Sequence, residues 1–257
     1  MSKLGYDAVE LGGELSLADA GEVRDLVAEA GMTVSSICPS FAAERDLAHP
    51  DPQVRESTVR YVREAADLAN AVGAPTIIIA PTAFLRSRPV ASEEEEWEWA
   101  LESVRAVGEY ADALDVNLTL ECWNRYGTYL LNRLEQAVRL WRETELPNGG
   151  VMADTYHMNI EERSLPQAIR ATGELLNHVH LSDSNRAAPG QGHIDFAPIL
   201  QSLVDIDYGG YLTFELDVKA AVHSGVMPPR GHDHLLEQLM QQAIEHLRRL
   251  ESRLEGI

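Results

Sequence analysis

The feature that most restricts the fold of this chain is an alternation. Seven short runs rich in Val, Ile, Thr and Leu lie at Asp7 to Leu11, Thr33 to Cys38, Thr76 to Ala80, Asn117 to Cys122, Val151 to Asp154, His178 to Leu181 and Tyr211 to Leu216. Longer stretches with apolar residues at helical spacing separate them. Strands that alternate with helices read as βαβ units on a parallel sheet. A repeat of about thirty residues per unit is that of an α/β fold of the TIM (β/α)8 barrel type, in which every strand delivers its last residues to one mouth. Seven strands fall one short of eight. The opening "KLGYD" reads as a helix tail, a glycine stop and the start of a strand, so the first βα unit is missing from the pattern. Either the reading frame starts late or the barrel closes by other means, because an open gap exposes unpaired strand edges.

The helical stretches carry their own punctuation. Residues 51–74 repeat Val54, Val59, Val62, Ala66 and Leu68, then stop near Gly73 with Pro75 behind it. The stretch from Ser92 opens with a capping-box spacing to Glu95, and the glutamates that follow sit where the helix dipole favours negative charge, so the run needs no ligand. Trp97 and Trp99 cannot share one helix face; one is expected in the core and the other partly exposed. A last helix, about 232–254, carries Leu235, Leu236, Leu239, Met240, Ile244 and Leu247 and is expected to pack on the barrel or on a second subunit. With no linker or low-complexity segment, residues 1–257 read as one barrel domain.

Charge and cysteine content exclude several classes. There are 21 basic and 41 acidic side chains, a formal charge of −20 that repels phosphate backbones and anionic membranes, so nucleic acid and membranes are not expected as partners. No run approaches the length of a membrane span, and the start lacks a signal-peptide pattern. Cys38 and Cys122 each sit in an apolar run without a disulfide framework, which suits a cytoplasmic setting.

The last polar residues of the four final strands form a series: Glu121, Asp154, His180 and Glu215, each about thirty residues after the one before, as one βα unit requires. Three carboxylates beside one histidine at a common mouth repel one another unless a cation joins them. A single divalent ion resolves this. Three oxygens and one imidazole suit Mn²⁺, Co²⁺ or Mg²⁺ better than a thiolate-rich zinc site, with Zn²⁺ still in the set, and leave open positions for substrate oxygens. Singly, each residue is as well explained by a salt bridge or a core hydrogen bond; four in register are not. His178 falls one layer deeper and reads as structural. Glu10, ending the first run, reads either as support for the metal shell or as partner of a buried cation.

The segments "ECWNRYGTYLLN", "DTYHMNIEE", "HVHLSDSNRAAPGQGHIDF" and "GGYLTFELD" resemble the sugar phosphate isomerase/epimerase superfamily with the xylose isomerase-like barrel, most closely its D-tagatose 3-epimerase (ketose 3-epimerase) group. The resemblance runs from Gly5 onward. It implies one Mn²⁺ or Co²⁺, Mn²⁺ foremost, held by Glu121, Asp154, His180 and Glu215, and it makes His157 and Arg186 substrate-binding residues. It implies a homo-oligomer, dimer or tetramer, acting on a small sugar. One position departs: Gly127 stands where that group has a glutamate that positions the substrate and the histidine matched by His157, which leaves the substrate and the reaction open.

Epimerising a ketose beside its carbonyl means removing a C–H proton and returning one to the opposite face. Glu121 and Glu215, from the first and last of the four strands, can flank the substrate as base and acid, while the metal stabilises the enediolate. Arg186 and His157 can donate to sugar oxygens. Trp123 and Tyr126 can wall the pocket, with core packing an equal alternative. His193 reads as a loop or lid residue, and His223, His232 and His234 as surface residues. An inosose dehydratase or isomerase and a lyase acting on 3-keto-glycosides use the same site differently and remain open. An endonuclease on this barrel fits poorly with the charge, and a noncatalytic barrel would bind no metal. No basic run beside a glycine-rich turn suggests a phosphate pocket, which favours free sugars.

Overall fold

The structure, a computed structural model, describes residues 1–14, 16, 19–42, 44–216 and 233–254. Seven strands, β1 (Ala8–Gly12), β2 (Thr33–Cys38), β3 (Thr76–Ile79), β4 (Asn117–Glu121), β5 (Gly149–Asp154), β6 (Leu176–Leu181) and β7 (Leu212–Phe214), form one sheet. Every neighbouring pair is parallel and the strands follow chain order, so the sheet curls into a barrel. Helices α1 (Ala20–Glu29), α2 (Pro52–Val72), α3 (Glu93–Asp112), α4 (Leu134–Thr144), α5 (Thr155–Glu161), α6 (Leu165–Thr172), α7 (Phe196–Asp205) and α8 (Asp233–Leu254) return the chain.

The inner strands are covered on both faces. All of β3, Thr76 to Ile79, is buried, the run expected of a parallel strand between a filled barrel interior and a helix layer. Burying one such Ile or Leu contributes about 1.5–3 kcal/mol. Helix α2 starts where Asp51 accepts the Gln53 amide with Pro52 behind it, and stops at Gly73, whose φ of 76° is the left-handed turn that glycine adopts without a Cβ clash. The capping box at Ser92 and Glu95 is formed.

The glutamate run of α3 differs from its dipole-only explanation. Glu96 turns inward and is fully buried. It accepts the backbone N–H groups of Val90 and Ala91 and pairs with Arg86, which also reaches Asp46 at 2.7 Å. This buried triad ties the loops after β2 and β3 to α3. Trp97 and Trp99 are both half-buried, and Trp97 is packed against the core. The Trp97 indole donates to Glu143, and Arg55 lies over the Trp99 ring.

An eighth strand is absent among the described residues, and the outer edges of β1 and β7 have no strand partner there. Side chains bridge the seam instead. The Tyr6 ring meets Phe214 edge-on at 5.8 Å, and its hydroxyl donates to the Met240 carbonyl. The Tyr211 and Thr33 hydroxyls lie 3.2 Å apart, and Arg248 of α8 donates to the Gly5 carbonyl. Helix α8 thus packs on the barrel, against α7 and across this seam, beside a cavity of about 480 Å³. His223 and His232 lie outside the described residues, as does the side chain of His234. No described helix is long and apolar enough to cross a membrane.

Candidate metal centre and sugar site

The strand ends converge as the spacing requires. Glu121 is the last residue of β4 and Asp154 the last of β5, while His180 lies in β6 directly across the ladder from Asp154. Glu215 follows one residue beyond the end of β7, so the seventh strand is shorter than Tyr211 to Leu216 and the glutamate sits in the loop it opens. Ligand-capable atoms of these four residues all lie within 4.8 Å of one another. Glu121, Asp154 and His180 are buried and Glu215 is partly open to the mouth.

Two further groups join the cluster. Arg186, in a left-handed backbone conformation at φ 61°, sends Nη1 to Asp154 at 2.9 Å and Nη2 to Glu215 at 2.5 Å. Its guanidinium lies 4.7 Å above the centre of the Tyr156 ring. His157 follows Asp154 into α5, where Asp154 caps the helix by accepting the Tyr156 and His157 amides. The His157 Nδ1 takes two donors from Asn124, its backbone N–H at 3.0 Å and its side-chain amide at 2.8 Å.

Electrostatics favour a cation among these groups. Burial, and then the charge of Glu215, pushes the Glu121 carboxyl well above the usual carboxylate range. Burial pushes Asp154 the same way, but Arg186, His157 and His180 outweigh it and hold that carboxyl low. Burial lowers His180 in turn, and the Glu10 and Glu215 carboxylates overcome it, so the imidazole is held well above its ordinary value. Arg186 and a charged His180 cannot balance Glu10, Asp154, Glu121 and Glu215 together, and Glu121 is left to hold a proton. Three carboxylates and one imidazole nitrogen at this spacing fit a hard divalent ion, which would take that proton's place.

Glu10 has a defined role that spacing alone does not disclose. Its Oε2 accepts from His180 Nε2 at 3.0 Å and Ser36 Oγ at 2.6 Å, and lies 3.2 Å from His178 Nε2. Nε2 thus faces Glu10, and Nδ1, 2.9 Å from Glu215 Oε2, faces the other three residues of the cluster, the arrangement by which outer carboxylates orient metal-binding histidines. His178 is buried one layer deeper, beside Thr213 as well as Glu10, and stays out of the four-residue cluster.

A cavity of about 810 Å³ opens above the cluster. Glu121, His157, Arg186 and Glu215 line its floor, and Trp123, Phe84 and Tyr126 are in its wall. Trp123 is half-buried and meets Phe84 edge-on at 5.2 Å, so it is both wall and packing residue. A Cβ at Gly127 would come within 3.0 Å of the Phe84 ring and 3.3 Å of Trp123 Cβ. A side chain at 127 would therefore need the Phe84 ring to give by a few tenths of an ångström. Asp183, fully buried, accepts the amides of Ser184, Gly190 and Ile194 and folds the loop that carries Arg186. His193 exchanges hydrogen bonds with Ser184 in that loop, which fits a structural place.

A model of the xylose isomerase-like TIM barrel family matches residues 1–250. The chain belongs to that family. Among xylose isomerase-like relatives, a D-psicose 3-epimerase of Ruminiclostridium cellulolyticum is 31% identical over 84% of this chain and 75% of its own length. A ketose 3-epimerase of Arthrobacter globiformis is 32% identical over 77% of this chain and 68% of its own. The solved structure of D-psicose 3-epimerase with D-tagatose from Clostridium cellulolyticum superposes with a TM-score of 0.87 at 29% identity, covering 97% of this chain and 90% of that one. The 3-keto-D-glucoside 4-epimerase of E. coli superposes at 0.84 with 25% identity, covering 96% and 91%.

Proposed function

We propose that this chain is a divalent-metal-dependent keto-sugar epimerase, acting as a ketose 3-epimerase on a free sugar, with manganese as the ion. The observation that carries the reading is the placement of Glu121 and Glu215 at the two ends of the four-strand series, both facing one cavity that also holds Arg186 and His157. Glu121, Asp154, His180 and Glu215 would hold the ion, which would supply Lewis acidity toward the sugar's carbonyl and neighbouring hydroxyl oxygens. The remaining chemistry belongs to the side chains. One glutamate withdraws the proton from the carbon beside the carbonyl, and the other returns one to the opposite face. Arg186, permanently charged, donates to a sugar oxygen and supports the negative charge that develops. His157 donates to a second oxygen, and Trp123 offers an aromatic face to sugar C–H groups.

A second reading is favoured by Gly127. With Phe84 closing on that position, the carboxylate that the 3-epimerase pattern places there is missing, and the likeness to an epimerase of 3-keto-glucosides supports a keto-glycoside as substrate. One experiment separates the two. Manganese-loaded protein is incubated in D₂O with a panel of free ketoses and of 3-keto-glycosides. Deuterium at C3 of an epimeric ketose supports the first reading, and deuterium at C4 of a glycoside the second. Solvent exchange into neither class overturns both.

A further inference from the structure

The loop after β4 contains a residue whose hydrogen bonds decide how His157 can act. Asn124 and His157 are both buried, at 5% and 6% exposure. The backbone N–H of Asn124 points at His157 Nδ1 from 3.0 Å. A backbone N–H can only donate, so Nδ1 must present a lone pair. The side-chain amide repeats the instruction. Its Oδ1 is engaged by the Tyr126 N–H at 3.0 Å, which turns Nδ2 toward the same ring nitrogen at 2.8 Å. Two donors on one imidazole nitrogen leave the ring's hydrogen on the other. That nitrogen, Nε2, is 3.8 Å from the Asp154 carboxylate, beyond hydrogen-bond distance, on a ring that lines the cavity floor.

We infer that Asn124 is a positioning residue that locks His157 as the Nε2–H tautomer, so that His157 meets the substrate as a hydrogen-bond donor and not as a proton acceptor. The lone pair that a base needs is already occupied at Nδ1. Withdrawal of the sugar proton is thereby confined to carboxylates, and His157 is kept for an oxygen on which negative charge grows. The tautomer follows from the hydrogen bonds alone. Its consequence for a sugar rests on the functional reading above.

Asn124→Asp tests the assignment with minimal change of shape. An aspartate keeps the oxygen that Tyr126 binds and replaces only the second donor by an acceptor, which draws a hydrogen toward Nδ1 against the unchanged backbone donor. Asn124→Leu removes the side-chain donor but keeps the backbone donor. The readout is the long-range ¹H–¹⁵N spectrum of the full chain labelled at histidine nitrogen, with His157→Gln used to identify the resonance. In the unaltered protein the His157 Nδ1 signal should be that of a bare nitrogen and Nε2 that of a protonated one. Asn124→Asp should move a hydrogen to Nδ1 and lower kcat about tenfold or more, with KM changed far less. Asn124→Leu should keep the tautomer, because the backbone donor remains. A hydrogen on Nδ1 in the unaltered protein overturns the proposal even if neither variant folds. It is equally overturned if Asn124→Leu, with the backbone donor intact, carries its hydrogen on Nδ1, or if Asn124→Asp moves the hydrogen there without loss of kcat. The spectra need no substrate, so a correct tautomer without exchange on any sugar would sink the functional reading and leave this assignment standing.

Discussion

Glu10 Oε2 and His180 Nε2, 170 residues apart in the chain, lie 3.0 Å from one another, and this contact decides which imidazole nitrogen looks into the carboxylate cluster. A carboxylate behind a metal-binding histidine fixes the ring and raises its basicity. Glu10→Gln should therefore weaken manganese binding by about 10- to 100-fold while leaving the barrel folded. Calorimetric titration with manganese measures it. An unchanged affinity would reduce the contact to a packing detail.

The two glutamates at the ends of the series should be far less replaceable than the residues around them. In the proposed reaction Glu121→Gln and Glu215→Gln would each remove a proton-transfer group, and general acid–base steps contribute about 10²- to 10⁴-fold. Either variant should lose at least a hundredfold of solvent-deuterium exchange into the substrate, measured with the metal content of each variant determined alongside. Full exchange by either one would move the base elsewhere in the cavity.

Asp183 gives the protein an acid-sensitive loop. Burial alone would raise its carboxyl, but the amides of Ile194, Ser184, Gly192 and Gly190 outweigh it and hold the group below its ordinary value. A depressed folded value means that the stabilisation is fully present above the unfolded value of about 3.9 and is lost as pH falls through the lower folded one. Asp183→Asn, which weakens the acceptor for several buried amides, should cost about 1–3 kcal/mol at neutral pH. It should also flatten the loss of stability on acidification. Urea denaturation at neutral pH and at about pH 2–3, below the unfolded value, compares the two chains; parallel acid sensitivity in both would remove Asp183 as its source.

Much of the barrel and the main cluster were legible in the sequence because both depend on period. Strands of a parallel barrel recur at a fixed interval, so Glu121, Asp154, His180 and Glu215 register as a series before any contact is known. Glu10, in the first run, was legible as support for the metal shell but not as the partner of one particular histidine, and Asn124 carried no signal of either kind. The bond from Glu10 to His180 exists only once β1 curls round opposite β6, and the donors of Asn124 converge on His157 only through the fold of the loop after β4. Glu96 was hidden for a different reason. A helix dipole accounts for Glu93, Glu94, Glu95 and Glu96 equally well, and nothing local distinguishes the one that turns inward to Arg86. The tryptophans were half legible: facing apart, Trp97 packs against the core and Trp99 does not, but both keep a partly covered place beside an arginine.

The triad of Arg86, Asp46 and Glu96 should be the costliest polar site to break outside the mouth. Arg86 bridges two carboxylates that are buried to 1% and 0% exposure, so its removal strands two charges where water cannot reach them. Breaking a buried pair by deleting one partner costs about 3–5 kcal/mol, whereas replacing all members by apolar residues of similar volume can be neutral. Arg86→Met should thus lower stability by about that amount, and a triple change of Arg86→Met with Asp46→Leu and Glu96→Met should recover part of it. The loops tied by this triad carry Phe41 and Phe84 at the cavity wall. The single variant should also raise KM, because the wall loosens when its anchor does. Urea denaturation and steady-state kinetics read the two effects; a loss under about 1 kcal/mol for Arg86→Met would mean that the carboxylates find other partners or protons when the arginine is gone.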